Sequence, residues 1–315
     1  MPFFSVVIPL YNKGNYIKAT LQTIVNQTFN DFEIIIINDG STDNSREVVT
    51  HFSDSRIKLI DQENQGLSRA RNAGIKNASG NYIALIDADD FWLPHHLKQL
   101  HNLIIDFPNA GLYSTGYTLK KSEHIYHRAK FNGLPDNFRG IVPNFFKHSL
   151  QNCIAWVGSV CFPKNVLDDV GYFDLDIFSE QDTDMYIKVA LKYDVALDNT
   201  SISSIYNRTM DDNMSNFSQK RAIPKLLYTY KHLEAKNSHL KTYLDYNRFS
   251  TIIYFKLSSN DTLAKQLIAD VDFKNLNNLQ RLLIRLPNSI VKFLFFVKTK
   301  LKLNALRVFR PKKEH

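Results

Sequence analysis

Three carboxylates close an apolar run: Tyr82-Ile-Ala-Leu-Ile86 is followed at once by Asp87, Asp89 and Asp90. A short, wholly apolar stretch has the length of a central strand and nothing polar to show to water. The acids therefore fall at a strand's carboxyl end, where open α/β sheets bind ligands. Asp87 and Asp89, two apart, can both face a cation if the backbone turns there, and hard oxygen donors suit Mn2+ or Mg2+. So small a set of protein ligands completes its shell from a substrate phosphate, which suggests a metal shared with a nucleotide diphosphate. The same residues also fit a plain turn in which Asp89 or Asp90 caps the helix that Pro94 opens. Local pattern does not separate the two.

The elements that must position such acids repeat as strand, loop, helix. Residues 4–10 are β-branched and apolar, 9–14 form a loop, and Ile17, Leu21, Ile24 and Val25 recur at helical spacing. Residues 32–37 read as a second buried strand, ending in Asn38-Asp-Gly-Ser-Thr-Asp43. That turn carries Asp39 at the strand end and Ser41 or Asp43 as N-cap for a helix over 46–51. Residues 57–60 form a third strand, and Asn64-Gln-Gly66 turns the chain into a helix containing Leu67, Ala70, Arg71, Ala73 and Gly74. This alternation predicts a mostly parallel sheet flanked by helices, with strand ends near Tyr11, Asp39 and Asp87 lining one crevice. Further on, the pattern predicts a helix over 94–106 and strands over 111–119, 156–162, 195–197 and 201–206. Residues 120–150 show no clear period, and 219–268 are dominated by helical spacing.

With 315 residues, the chain can hold one large α/β domain with additions, or two domains. At 44% hydrophobic and 22% charged, it is not disordered by composition. Cys153 and Cys161 stand alone, too few for a disulfide framework or a zinc site, which fits a reducing compartment. The N-terminus enters strand-like sequence directly, without the pattern of a secretory leader, and no segment approaches 18 apolar residues. The net charge of +8 is a property of the tail: residues 281–315 carry ten Lys and Arg against one acid, and residues 1–280 carry 29 basic and 30 acidic groups. Leu283, Leu286, Ile290, Phe293, Leu294, Val297, Leu301 and Val308 follow three- and four-residue steps, with Arg281, Arg285, Lys292 and Arg310 on the other side. A basic amphipathic helix opening after Pro287, capped by Asn288 or Ser289, is expected to lie on an anionic membrane. The alternative is a helix packed on the protein with a solvated basic face. Nucleic acid is not expected as a partner, because the rest of the chain has no basic excess.

Four segments in order, Val7-Ile-Pro-Leu-Tyr-Asn12, Asn38-Asp-Gly-Ser-Thr-Asp43, Asn64-Gln-Gly-Leu-Ser-Arg-Ala-Arg-Asn-Ala-Gly74 and Asp87-Ala-Asp-Asp90, resemble the nucleotide-binding half of family 2 glycosyltransferases of the GT-A fold. The resemblance is close over residues 3–118 and looser to about residue 215. It implies a catalytic domain over 1–218, with a donor half (1–118) and an acceptor half (119–218), followed by a helical region (219–315) whose basic tail is 281–315. It also implies that Pro9, Tyr11, Asp39, Arg71, Asp87 and Asp89 bind the donor: Tyr11 beside the base, Asp39 on the uracil or ribose, Arg71 on the base or diphosphate. Asp87 and Asp89 match the ends of the family's Asp-X-Asp metal motif, Asp89 the ligand and Asp87 more often a ribose contact. Residues 120–150 become a place for an acceptor-facing insertion.

Val170-Gly-Tyr-Phe-Asp174 resembles the turn that precedes the family's catalytic segment, here Ser179-Glu-Gln-Asp-Thr-Asp184. Aligned from Lys188 backwards, Asp182 takes the place of the general base, Asp184 that of the second acid, and Gln181 stands where the family has Glu. Glu180 is the rival base. The stretch 206–215 resembles a donor-diphosphate segment whose usual His is missing, with Arg208 as candidate substitute. The family's Gln-X-X-Arg-Trp signature of processive polymerases is absent. The implied activity is a metal-dependent, inverting transfer of one sugar from a nucleotide sugar, UDP foremost, to a lipid-linked or cell-surface glycan, on the cytoplasmic face of a membrane. Two rivals remain: a degenerate noncatalytic nucleotide-sugar or membrane-binding module, which Gln181 favours, and a sugar-nucleotide pyrophosphorylase, which the glycine-poor 9–14 loop disfavours. A dinucleotide enzyme is disfavoured, since no Gly-X-Gly-X-X-Gly follows the first strand.

Overall fold

A computed structural model describes residues 1–209 and 222–300. The first half runs β1 (Phe4–Leu10), α1 (Gly14–Val25), β2 (Phe32–Asp39), α2 (Ser45–Thr50), β3 (Ile57–Gln62), α3 (Leu67–Asn77), β4 (Tyr82–Leu85), β5 (Phe91–Trp92) and α4 (His96–Asp106). It continues through β6 (Leu112–Ser122), β7 (Ile125–Arg128), β8 (Arg139–Ile141), α5 (Phe145–His148), β9 (Val160–Pro163), α6 (Lys164–Val170), α7 (Gln181–Ala190) and β10 (Val195–Asn207). Five helices follow: α8 (Leu226–Thr229), α9 (Ser238–Leu257), α10 (Asp261–Ile268), α11 (Asn278–Arg285) and α12 (Asn288–Lys300).

The strands form one sheet in the order β3-β2-β1-β4-β9-β6-β10-β5, with β7 on β6 and β8 on β10. The pairs β1–β2, β2–β3, β1–β4 and β6–β10 are parallel, and β9 runs antiparallel between β4 and β6. This is the predicted mostly parallel sheet. Every residue of β1 and β2 is buried, as two-sided cover requires. Leu10 pairs with Asn38, and Val7 with Leu85, so the carboxyl ends of β2, β1 and β4 lie side by side. Chain direction across the sheet reverses on the two sides of β1, the switch point at which such sheets open a ligand crevice.

Pro9 explains how that crevice opens. It is buried inside β1 and paired with Ile37, past the last β1–β4 pair. Its missing N–H therefore falls where β4 has already parted from β1, the position at which a strand tolerates proline. Gly74 brings α3 close to the same strand: a Cβ there would lie 2.3 Å from Val7 Cγ1.

Several expectations need correcting. Residues 156–162 are not one strand; Val157–Ser159 is a single 3-10 turn, and β9 begins at Val160. The turn brings Gly158 O within 2.7 Å of buried Trp92 Nε1, which an extended run would not do. The two short strands over 195–206 are one, β10, whose register against β6 slips between Asp198 and Ser204. The patternless 120–150 stretch contains an exposed hairpin partner, β7, whose residues lack alternation because both faces meet water. Neither Asp89 nor Asp90 caps α4, whose N-cap is His95 without a side-chain bond.

The chain divides into two compact units, one of 1–130, 134–145 and 154–213, the other of 131–133, 146–153 and 214–315. The second has its own apolar core, including Leu227, Phe249, Ile252, Phe255, Leu267 and Leu283. Inside it, buried Arg248 donates to Asp245 Oδ1 (2.9 Å), Leu227 O (2.8 Å) and Glu234. Leu286 is extended before Pro287, which ends α11, and α12 opens at Asn288, where a helix after Pro287 was expected. Its cations are partly engaged within the unit: Arg281 Nε donates to Phe273 O (2.7 Å), and the Arg285 guanidinium lies 5.7 Å from the Phe273 ring centre. On α12, Val291 is buried and Phe295 packs on the core, leaving Ile290, Phe293, Leu294 and Phe296 exposed. Leu301, Val308 and Arg310 lie outside the described residues, as do 210–215. No described helix is long and apolar enough to cross a membrane.

Candidate active site

Two loops at the carboxyl edge of the sheet hold each other in place. Asn12 takes a left-handed conformation (φ +50°), and its Oδ1 accepts from the N–H groups of Thr42 (2.8 Å) and Asp43 (3.4 Å). In return, Asn12 N–H donates to Ser41 Oγ (3.1 Å), Lys13 N–H to Ser45 Oγ (2.8 Å) and Gly14 N–H to Asp43 Oδ2 (2.9 Å). Asp43 Oδ1 also accepts Ser45 N–H (2.9 Å), but the N-cap of α2 is Asn44, without a side-chain bond, rather than the expected Ser41 or Asp43. Burial opposes the ionised form of Asp43, but these bonds from Ser45 and Gly14 prevail and hold its carboxyl below the usual range.

Asp39, at the end of β2, is buried, and it accepts from Gln62 Nε2 (2.7 Å), Gln65 N–H (2.9 Å) and Gly66 N–H (2.9 Å). A carboxylate offers about four acceptor positions, so one is left for a ligand N–H or O–H. Gly66, at φ +87°, allows the backbone turn that aims both amides at it. Tyr11, just past β1, is 47% exposed.

Arg71 on α3 is the centre of the site. It is fully buried, yet Nη2 donates to Asp87 Oδ1 (2.8 Å) and Nη1 donates to Asp182 Oδ1. Two of its five N–H donors thus go to carboxylates after β4 and at the head of α7, and Nε has no hydrogen-bond partner among the described residues. Burial favours the neutral guanidine, but Asp182 and Asp87 outweigh it and raise the pKa above the ordinary arginine value. The guanidinium also lies 5.3 Å from the ring centre of Phe173. The adjacent Asn72 grips that residue's backbone: Nδ2 donates to Phe173 O (2.8 Å), and Phe173 N–H donates to Oδ1 (3.0 Å). The Gly171-to-Asp174 turn is thereby docked on α3, and α7 starts beside it.

At the head of α7, Asp182 faces the cleft with its Oδ1 on Arg71. Its carboxyl is raised above the usual range, by burial first, with Asp87 adding to the effect and Arg71 opposing it. Glu180 is the N-cap residue, in a left-handed conformation at φ +65°. Gln181 Nε2 donates back to Phe178 O (3.2 Å), closing the loop before α7. Asp184 is buried and pairs with Lys188 Nζ (2.9 Å) within the helix, a structural use of the second acid.

The other acids crowd the end of β4. Asp89 Oδ2 pairs with Lys13 Nζ at 3.1 Å. Burial raises its carboxyl, Asp87 adds, and Lys13 opposes. Asp90 is buried, with Oδ1 accepting Asn207 N–H (2.8 Å) and Oδ2 without a hydrogen-bond partner among the described residues. Burial, then Asp89 and Asp87, pushes it well above the usual range. Asp90 thus ties the acidic loop to the end of β10. Beside it, Arg208 lies over Tyr206 (5.4 Å), which stacks on Trp156 (4.9 Å), and Trp156 meets Tyr117 (5.2 Å).

Among the described residues, no group of three or more His, Cys, Asp or Glu side chains forms a metal cage. The donor set fits the other mode of divalent binding, in which one or two carboxylates share the cation with substrate phosphates. Asp87 and Asp89 would offer hard oxygens for that mode.

Residues 5–170 match the family described as Glycosyl transferase family 2. The chain belongs to the family 2 glycosyltransferases. Among relatives of this transferase, glycosyltransferase GlyA of Streptococcus pneumoniae serotype 4 is 38% identical over 136 residues, 42% of this chain and 19% of that one. The uncharacterized glycosyltransferase YibD of Escherichia coli (strain K12) is 42% identical over 104 residues, 32% of this chain and 30% of that one. The matched stretches thus span less than a third of either relative. The crystal structure of S. aureus TarS 1-349 in complex with UDP-GlcNAc aligns over 96% of this chain and 91% of that chain, with TM-score 0.67 and 18% identity, a likeness of fold.

The sequence reading missed Asn72, Asp90 and Lys13. Asn72 and Asp90 lie inside the four motifs and Lys13 directly follows the first, but only contacts between segments give them a role.

Proposed function

We propose that this transferase moves one sugar from a UDP-sugar to a hydroxyl of a lipid-linked or cell-surface glycan, with inversion at the anomeric carbon. The observation that carries the reading is Arg71, whose buried fork joins Asp87 at the donor edge to Asp182 on α7. A base and a donor-binding acid are thereby held in one cleft. Asp182 removes the acceptor hydroxyl proton as that oxygen attacks the anomeric carbon from the face opposite the diphosphate. The Tyr11 ring backs the base, and the remaining acceptor position of Asp39 takes a base or ribose hydrogen. Asp89, with Asp87, would hold Mn2+ or Mg2+, which when bound neutralises charge on the departing diphosphate. UDP is supported as the nucleotide by TarS, whose crystal structure with UDP-GlcNAc has this fold.

The exposed apolar residues of α12, with the basic tail, support attachment to an anionic membrane, on its cytoplasmic face. Release of UDP from a panel of UDP-sugars with Mn2+ and lipid-linked acceptors tests the activity. Asp182→Asn is expected to bind UDP and lose transfer, and Asp89→Ala to lose metal-dependent turnover. If Glu180→Gln is dead and Asp182→Asn active, the base is Glu180. A wild type that binds but never turns over any donor is a binding module.

A further inference from the structure

Lys13 is the charged group at the donor edge to which no role has yet been given. Its backbone is clamped from both sides, by Asn12 against Ser41, Thr42 and Asp43 and by Gly14 against Asp43. The loop thus delivers the ammonium to a fixed place, 3.1 Å from Asp89 Oδ2, with the two side chains 18% and 14% exposed. Asp87 lies two residues from Asp89, and Arg71 is engaged by Asp87 and Asp182. Lys13 is therefore the cation that neutralises Asp89.

A divalent ion on Asp89 would have to share that carboxylate with an ammonium of like sign in contact with it. Two cations so close repel by several kcal/mol unless one leaves or an anion joins them, about 4 kcal/mol per unit charge at 4 Å near a surface. The lysine stem is flexible, and its ammonium makes no demand on geometry. A nucleoside diphosphate brings the anion. We propose that Lys13 is an exchangeable counter-ion: it holds Asp89 in the donor-free enzyme, yields it to the metal, and moves to the donor's diphosphate. The metal then binds weakly alone and tightly with nucleotide, and Lys13 sets that coupling. This rests on the assignment of Asp89 as a metal ligand.

The test is the amplitude of the free Mn2+ signal in electron paramagnetic resonance, titrated against the full chain with and without UDP. Lys13→Met is expected to bind Mn2+ without UDP about three- to tenfold more tightly than wild type, the range of one lost competing pair. UDP should then tighten Mn2+ binding less than in wild type. Lys13→Arg, which keeps the charge, should stay near wild type. Lys13→Gln serves as a second neutral variant should Lys13→Met not fold, judged by its melting curve. Neutral variants that bind Mn2+ as weakly as wild type, or more weakly, without UDP overturn the proposal. Asp89→Asn separates the two failures: if it binds Mn2+ like wild type, the metal assignment itself falls. If it loses Mn2+ while Lys13→Met is unchanged, only the counter-ion role falls.

Discussion

Removing the guanidinium of Arg71 should injure stability and the pH profile together. In Arg71→Met, Asp87 and Asp182 keep their places but lose the cation between them. Breaking a buried pair by deleting one partner costs about 3–5 kcal/mol. Asp87 and Asp182 are 34% and 36% exposed, so water screens part of this, and roughly half, about 2 kcal/mol, is expected. That corresponds to a fall in Tm of about 4–8 °C for a domain of this size. The lost attraction is shared between the two carboxylates, and the pKa of Asp182 rises. The direction follows from the surroundings: Arg71 is the group holding that carboxyl down, and without it burial and Asp87 act unopposed. A base works only when ionised, so activity disappears as pH falls through this value, and a higher value moves the acid limb to higher pH. The assay is kcat/KM for UDP release from pH 4 to 8, with melting curves alongside. Arg71→Lys keeps a charge but loses the fork, and should fall between. An Arg71→Met enzyme with an unmoved acid limb and a Tm within a degree of wild type would refute the pairing as the basis of the site.

Further outcomes are expected elsewhere. Asn72→Ala removes both bonds to Phe173 and should lower kcat more than it raises KM, with a stability loss of about 1–3 kcal/mol. Equal changes in both constants would argue against a role in docking the turn before α7. Glu33 is buried and accepts from Ser5, Ser79 and Lys58; burial opposes ionisation, but those bonds hold its pKa at about 2 against an ordinary 4.5. A depressed carboxylate contributes stability above its unfolded pKa. The advantage of wild type over Glu33→Gln, about 2 kcal/mol near neutrality, should therefore shrink as pH falls from about 4.5 toward 2. Denaturant titrations at pH 7 and pH 3 read this directly, and a constant difference would contradict it. Phe293→Ser with Phe296→Ser should reduce sedimentation with phosphatidylglycerol vesicles several-fold and leave the melting curve unchanged, since both side chains are exposed. Unaltered sedimentation would remove α12 from the membrane reading.

Much of the fold was legible because its signals are local. Residues 4–10 and 32–37 are apolar without interruption, and only a strand covered on both faces hides such a run. The acids after Ile86 had to fall at the carboxyl edge, since the strand ends there. The parallel order then made neighbours of Tyr11, Asp39 and Asp87. The 3-10 turn at Val157–Ser159 was not legible, because Trp156-Val-Gly-Ser-Val carries the β-branched composition of a strand. Its shape is dictated instead by buried Trp92, 66 residues away, which needs an acceptor for its indole N–H.

The sequence alone determined which residue types stand at each strand end, and in what order. The tertiary structure decided which of them touch. Arg71 reads as a surface or ligand-binding arginine, and only the folding of α7 against it reveals its bonds to Asp87 and to Asp182, 111 residues downstream. Lys13 reads as a loop cation until β4 is laid beside β1 and Asp89 arrives within 3.1 Å. The tail arginines read as a free basic face until Phe273 takes up two of them. In each case the partner is remote in sequence. Charge pairing is decided by distances of a few ångströms, which only the packed chain defines.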